Sequence, residues 1–148
     1  MKKLILTMTI MFTIGLTSVY ADKKVEINKQ VAASFSKDFA SARNVIWQQQ
    51  NQYVKATFIL NGQVMFAYYT EDGKLQAVSR NVLSDHLPVL LLIKLKKNYS
   101  DYWISDLLEW TSEDQTAWYI RLESADKALI LKSGIYNQWH VYKKIEKE

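Results

Sequence analysis

The chain has 148 residues, of which 49% are hydrophobic and 13% aromatic, and its formal net charge is +4 at pH 7. It contains no cysteine, which excludes disulfides, thiolate metal sites and a lipid attached through an N-terminal cysteine. Its four glycines never cluster and its charged C-terminal stretch alternates in sign, so the sequence favours neither a phosphate-binding loop nor nucleic-acid binding.

The first 21 residues have the layout of a cleavable secretory signal. Lys2 and Lys3 form a positive start, a largely apolar run follows at 4–16, and small residues lead to a predicted cleavage after Ala21. The run spans 13 residues, which is short of the ~20 that a membrane-spanning helix needs. The sequence therefore predicts a periplasmic or secreted protein with a net charge of +2 and no stable membrane anchor after cleavage.

The remaining segment, 22–148, is predicted to form one α+β domain, with two helices packed on antiparallel sheet. Asn28 is the predicted N-cap of the first helix. Val31, Phe35 and other apolar residues then recur at helical spacing through about Ser41, while polar residues occupy the rest of the helical wheel. This pattern indicates an amphipathic helix that lies on a sheet.

A β-hairpin is predicted next, from strands at 44–50 and 52–60 and a turn at Asn61-Gly62. A two-residue turn at this place pairs residues whose numbers sum to 123, so Phe58 faces Met65 and Val54 faces Tyr69 on the face predicted to lie under the helix. The opposite face carries four other pairs: Ile59 with Val64, Thr57 with Phe66, Lys55 with Tyr68, and Tyr53 with Thr70.

The second half of the chain repeats this order of elements. After a strand at 74–82, whose facing the sequence leaves open, Leu87-Pro88 marks the start of a second helix. Its predicted buried stripe consists of Leu91, Leu92, Leu95 and Tyr99. Further strands are predicted at 102–112, 117–123, 127–133 and 139–145. One interpretation is a tandem of helix-plus-four-strand halves, about 22–83 and 84–148, and the alternative is one continuous sheet with helices on one side.

Candidate catalytic groups are few. Ser84, Asp85 and His86 are consecutive, and consecutive side chains do not converge as a catalytic triad must. His140 lies in an ordinary strand alternation, and no spacing of histidines and carboxylates is typical of a metal site. We therefore expect no catalytic residue, no bound metal and no cofactor, and a protein that is not an enzyme.

The aromatic content favours recognition of another protein. Several strands carry aromatic residues on both faces, whereas one layer of helices covers a single face. The predicted binding surface consists of Tyr53, Lys55, Tyr68, Trp118 and Trp139. The alternative hypothesis is a carrier or sensor of a small apolar ligand held between sheet and helices, with Leu90 and Ile93 near the mouth.

The sequence resembles the PepSY-like, β-lactamase-inhibitor-like proteins that Bacteroidetes export. The resemblance is carried by Phe39, Ala42, Asn44, Val45, Trp47, Tyr53 to Ala56, Phe58, Asn61-Gly62, Ala67 to Tyr69, Asp72-Gly73 and Leu87-Pro88. In the second half, Asn137-Gln138 stands where an Asp-Gly turn would be expected. The resemblance implies tandem helix-plus-four-strand units like those of the β-lactamase inhibitor protein, and an envelope protein that binds or inhibits another protein.

Overall fold

The computed structural model describes residues 26–113, 115–134 and 137–147. The predicted signal and its cleavage site after Ala21 lie outside these residues. The first half contains helix α1 (Lys29–Asp38) and strands β1 (Arg43–Gln50), β2 (Tyr53–Leu60), β3 (Gln63–Thr70) and β4 (Leu75–Asn81). The second half contains a short 3-10 helix (Ser84–His86), helix α2 (Val89–Asn98) and strands β5 (Trp103–Ser112), β6 (Thr116–Glu123), β7 (Lys127–Ser133) and β8 (Trp139–Glu146).

Helix α1 begins at the predicted cap. The Asn28 side chain accepts a hydrogen bond from the Gln30 amide and donates one to the Glu71 carbonyl, which ties the helix start to the β3–β4 turn. The helix ends at Asp38, before the predicted end at Ser41, because Phe39 leaves helical geometry and the Ala42 amide donates to its carbonyl.

The predicted hairpin register is confirmed. Strands β2 and β3 pair from Leu60 opposite Gln63 to Tyr53 opposite Thr70, as the two-residue turn requires. Asn61 and Gly62 have φ angles of 52° and 80°, the left-handed values that such turns need. The face predicted to lie under the helix forms a buried cluster with α1: Val31, Phe35, Val54, Ala56, Phe58, Ala67 and Tyr69.

The eight strands form one antiparallel sheet in chain order. The two helix-plus-four-strand segments are therefore present in the predicted order, and pairing of β4 with β5 joins them into the continuous sheet of the alternative interpretation. The pairing of β3 with β4 shows which face each β4 residue occupies. A register shift lies after Tyr68, because Tyr68 pairs with Ala77 whereas Tyr69 pairs with Leu75.

Both helices cover the same face of the sheet. Ala67, which lies under α1, pairs with Val78, and Val78 pairs with Thr111 of β5. Every second residue of β5 points to the same face, so Leu107, which lies under α2, is on the same face as Thr111. The α2 core contains Leu87, Leu91, Leu95, Leu107, Ile120, Leu122, Leu129 and Leu131. We call this side the helix face and the opposite side the open face, because no described helix packs on it.

Candidate binding surface

Residues of all eight strands project onto the open face, as the register of each pair shows, and β1 contributes Arg43, Ile46, Gln48 and Gln50. Its main members are Tyr53, Lys55, Thr57, Ile59, Val64, Phe66, Tyr68, Ala77, Ser79, Asp106, Leu108, Trp110, Tyr119, Arg121, Glu123, Ile130, Lys132, Tyr142 and Lys143.

Aromatic side chains close over the centre of the open face. The rings of Tyr68 and Trp110 lie 4.7 Å apart between centroids, and those of Tyr119 and Tyr142 lie 5.9 Å apart, edge to face. Trp110 is only 8% exposed and Tyr119 only 4%, although no described helix lies above them. Their burial comes from contacts between side chains of the open face itself, including Leu108 and Ala77. The face is consequently an ordered, packed surface.

Three lysine ammonium groups rest on aromatic rings of this surface. Lys55 lies 4.5 Å from the ring centroid of Phe66, and Lys132 lies 5.3 Å from that of Tyr119. Lys147, which follows β8, lies 5.2 Å from the ring of Trp103. A cation over an aromatic ring is held by the ring quadrupole while part of the ammonium stays available to a partner.

Burial also affects the charges of individual groups. It lowers the pKa of Lys55, because a desolvated ammonium loses its hydration. It raises the pKa of Asp106, which pairs across the strands with Arg121. Burial therefore opposes the charged form of both groups.

Glu123 is clamped by two cations at one end of the open face. Its carboxylate accepts hydrogen bonds at 2.7 Å from the Lys147 ammonium and at 2.7 Å from Arg121 Nε. The hydrogen bonds from Lys147 and Arg121 lower the pKa of Glu123 to about 2. Lys147 thus contacts both Glu123 and the Trp103 ring, and it ties the end of the described chain to β5 and β6.

The open face has an excess of positive charge. Its basic side chains among the described residues are Arg43, Lys55, Arg121, Lys132, Lys143 and Lys147. Its acidic side chains in the described part of the chain are Asp106 and Glu123, so the cations outnumber the carboxylates. The surface is therefore suited to a partner with exposed carboxylates.

The structure divides the five residues predicted to form the binding surface. Tyr53, Lys55 and Tyr68 lie on the open face, although Tyr53 is only 7% exposed. Trp118 and Trp139 lie on the helix face and pack against the α2 core. The Trp139 indole N–H donates to the Leu91 carbonyl at 2.9 Å, so this side chain holds α2 on the sheet. A single surface cannot include all five, and we remove Trp118 and Trp139 from it.

Four contributors to the open face were missed by the sequence analysis: Phe66, Trp110, Tyr119 and Lys132. Phe66 could have been found, because the Asn61-Gly62 register already placed it on the same face as Lys55 and Tyr68. Trp110 and Tyr119 belong to strands joined by a turn without an Asn-Gly signal, so no register fixed their face.

The candidate catalytic groups lie together in one short element. Ser84, Asp85 and His86 make up the short 3-10 helix, and His86 Nδ1 lies 2.8 Å from an oxygen of Asp85, with both side chains exposed. Among residues 26–113, 115–134 and 137–147, no group of three or more histidines and carboxylates is placed to hold a metal ion.

None of the described helices is long and apolar enough to span a bilayer.

No protein-family model matches the chain, and no curated protein is similar enough to count as a relative. Solved structures are similar. A protein of Bacteroides eggerthii provisionally assigned to the periplasm superimposes with a TM-score of 0.73 at 15% identity, over 82% of this chain and 89% of its own. A DUF2874 family protein of Bacteroides ovatus gives 0.71 at 18% identity, over 82% and 88%. A BLIP-like protein of Bacteroides fragilis gives 0.68 at 14% identity, over 84% and 89%.

The chain has the fold of these proteins. The similarity to β-lactamase-inhibitor-like proteins is thereby confirmed at the level of the fold, and the predicted α+β class with it. The PepSY-like part of the resemblance stays a prediction. Fold alone does not transfer function, so the function of this chain depends on the side chains that its surfaces present.

Proposed function

We propose that this chain is an exported binding module, acting in the periplasm or outside the cell, that recognises another protein through its open face and does not act as an enzyme. The observation that carries the proposal is the set of lysines seated on aromatic rings, Lys55 on Phe66 and Lys132 on Tyr119, around a packed aromatic centre. Aromatic side chains and cations that are already held in place lose little entropy on binding.

The proposed partner presents an acidic surface. The open face carries more cations than carboxylates, and Glu123 is already neutralised by Lys147 and Arg121. Complementary charge speeds association and selects among partners, and its effect weakens as salt rises. Whether the bound protein is inhibited depends on which of its surfaces is covered, and inhibition would be a consequence of binding at this face.

The fold comparison supports an envelope setting for this proposal. The Bacteroides eggerthii protein is provisionally assigned to the periplasm, and the Bacteroides fragilis protein is BLIP-like. The predicted signal at the start of this chain is consistent with the same compartment.

The test is affinity capture from host envelope extract, with the protein recovered after export as bait. The double variant Lys55→Glu/Lys132→Glu reverses two cations of the open face, and Lys29→Glu/Lys96→Glu makes the same charge change on the two helices. We expect the first variant to lose the captured protein and the second to retain it, and titration with the purified partner then measures the loss. Equal capture by both variants would exclude the open face.

The alternative is a carrier or sensor of a small apolar ligand, whose predicted mouth lies near Leu90 and Ile93. These side chains are 56% and 55% exposed on the outer side of α2. A cleft of about 400 Å³ lies elsewhere, between α1 and the start of β1, and neither residue lines it. Native mass spectrometry of protein from its host separates the two functions, because a carrier would retain a small molecule and a protein-binding module would not.

A further inference from the structure

Strand β1 forms one edge of the sheet and pairs only with β2 among the described strands. Edge strands usually carry charges that prevent other chains from pairing with them. The other edge, β8, has three charged residues, Lys143, Lys144 and Glu146. Strand β1 has Arg43 at its first position and no other charge in eight residues, although it has a register shift after Arg43.

The hydrogen-bonding groups that β1 presents outward can be located from its turn. Gln50 pairs with Tyr53 across a two-residue turn, and such a turn closes on a hydrogen-bonded pair. Hydrogen-bonded and non-hydrogen-bonded pairs alternate in an antiparallel ladder, so the amides and carbonyls of Gln49 and Trp47 point away from β2. Within the described residues no other backbone group pairs with these positions, so they can receive a ninth strand.

A cleft lies beside this edge on the helix face. It has a volume of about 400 Å³ and its lining includes Phe35, Phe39, Val45 and Trp47, with Ser36 on the α1 side. Trp47 pairs with Ala56, and its side chain is on the helix face, where the Phe35 ring meets it at 5.0 Å. In an added strand, the residue opposite Trp47 has its side chain on this same face, at the cleft.

Two exposed cations lie next to this edge along the chain. Arg43, at the first position of β1, pairs with Ile59 and so lies on the open-face side of the edge, whereas Lys37 follows the cleft residue Ser36 on α1. The acidic neighbour Asp38 already accepts a hydrogen bond from the Tyr69 hydroxyl at 3.0 Å. A second copy of β1 has no acidic residue to offer Arg43, so a different segment with carboxylates at its ends fits better.

We propose that the β1 edge binds an extended, acidic-ended polypeptide segment as a ninth strand, with one bulky apolar side chain of that segment in the cleft between α1 and β1. Main-chain hydrogen bonds to Trp47 and Gln49 supply affinity, and the cleft selects the side chain. The cleft lies on the helix face, and apart from Arg43 this site shares no named residue with the open face and does not depend on its function.

The probe is the capped peptide Glu-Val-Thr-Phe-Thr-Val-Glu, titrated by calorimetry into protein recovered after export. Two N-methylated forms are the matched controls. Methylation of the phenylalanine amide removes a hydrogen bond to β1, whereas methylation of the next threonine amide alters a group that points away from it. We expect at least a tenfold loss of affinity from the first and less than a twofold change from the second. Equal affinity of the two methylated forms would overturn strand addition.

Two protein variants test the edge and the cleft separately. Gln49→Pro removes an outward-facing amide, and Ser36→Trp places a large side chain at the cleft from an exposed position on α1. We expect each variant to lower the affinity for the peptide at least tenfold, while circular dichroism shows that the fold is retained. The proposal is overturned if neither variant weakens binding, or if sedimentation shows that unliganded protein dimerises through β1 and Gln49→Pro abolishes that dimer.

Discussion

Tyr68 on β3 and Trp110 on β5 pack against each other across β4, with ring centroids 4.7 Å apart and planes inclined by 41°. The contact is possible because β4 presents small residues between them: Ala77 opposite Tyr68 and Ser79 opposite Trp110. It joins the two helix-plus-four-strand segments on the open face, where no described helix connects them. The proposed binding surface therefore depends on both segments.

The Tyr68–Trp110 contact should be measurable as a coupling in stability. We expect Tyr68→Leu and Trp110→Leu to give a coupling free energy of about 0.5–1.5 kcal/mol in a double-mutant cycle of urea unfolding. Tyr68→Leu combined with Trp139→Leu is the control, because Trp139 lies on the other face and its effect should be additive. Additive effects of Tyr68→Leu and Trp110→Leu would show that the contact does not stabilise the protein.

Two glycines in turns offer a matched pair of substitutions. Gly62 and Gly73 both have left-handed φ angles, 80° and 84°, so alanine strains the backbone at either. A Cβ at Gly73 would lie 2.9 Å from the Gln30 carbonyl oxygen of α1, whereas nothing lies within 4 Å at Gly62. We expect Gly62→Ala to cost about 1–2 kcal/mol and Gly73→Ala to cost clearly more, as measured by urea unfolding. Equal costs would mean that α1 does not rest on this turn.

The Glu123 clamp should make stability sensitive to acid. The folded pKa of Glu123 is about 2, below the ordinary value of 4.5, so its ionised form stabilises the fold above pH 4.5. That stabilisation is lost as pH falls from 4.5 through 2. Glu123→Gln should therefore flatten the decline of unfolding free energy in this window, whereas Glu113→Gln, at an exposed ion pair with Lys74, should not. An unchanged decline in Glu123→Gln would contradict the clamp.

The Trp139 indole fastens α2 to the last strand. Trp139→Phe keeps a ring but removes the donor to the Leu91 carbonyl, so we expect a loss of about 1 kcal/mol in unfolding free energy. Trp103→Phe is the comparison, because Trp103 is more than half exposed and lies on the open face. Faster hydrogen exchange in α2 of the Trp139 variant, but not of the Trp103 variant, would show that the destabilisation lies at α2. Equal losses of unfolding free energy in the two variants would contradict the role of Trp139 in holding α2.

The sequence predicted the fold better than the site. Asn61-Gly62 is a turn with a defined register, and this one dipeptide correctly placed both faces of β2 and β3. The later strands contain register shifts, between Ile104 and Asp106 and between Ile130 and Leu131, and each shift exchanges the faces of the residues beyond it. Alternation alone could not show that Trp118 and Trp139 lie under α2.

The binding surface was also hard to predict because its residues come together across strands that are distant in sequence. Lys132 on β7 lies over the ring of Tyr119 on β6, and Lys147 reaches Glu123 and Trp103. Such contacts depend on the pairing of β5 to β8, which no local motif specifies. The sequence did indicate that aromatic residues lie on both faces of the sheet, whereas one layer of helices covers a single face.

The most direct test of the open face is site-specific photocrosslinking in the host envelope. Val64 is half-exposed on the open face and Ala33 is exposed on α1. A benzoylphenylalanine is introduced at one or the other position. We predict that Val64 crosslinks to a partner protein, that Ala33 does not, and that Lys55→Glu/Lys132→Glu removes the Val64 adduct. A partner adduct from Ala33 with none from Val64 would contradict recognition through the open face.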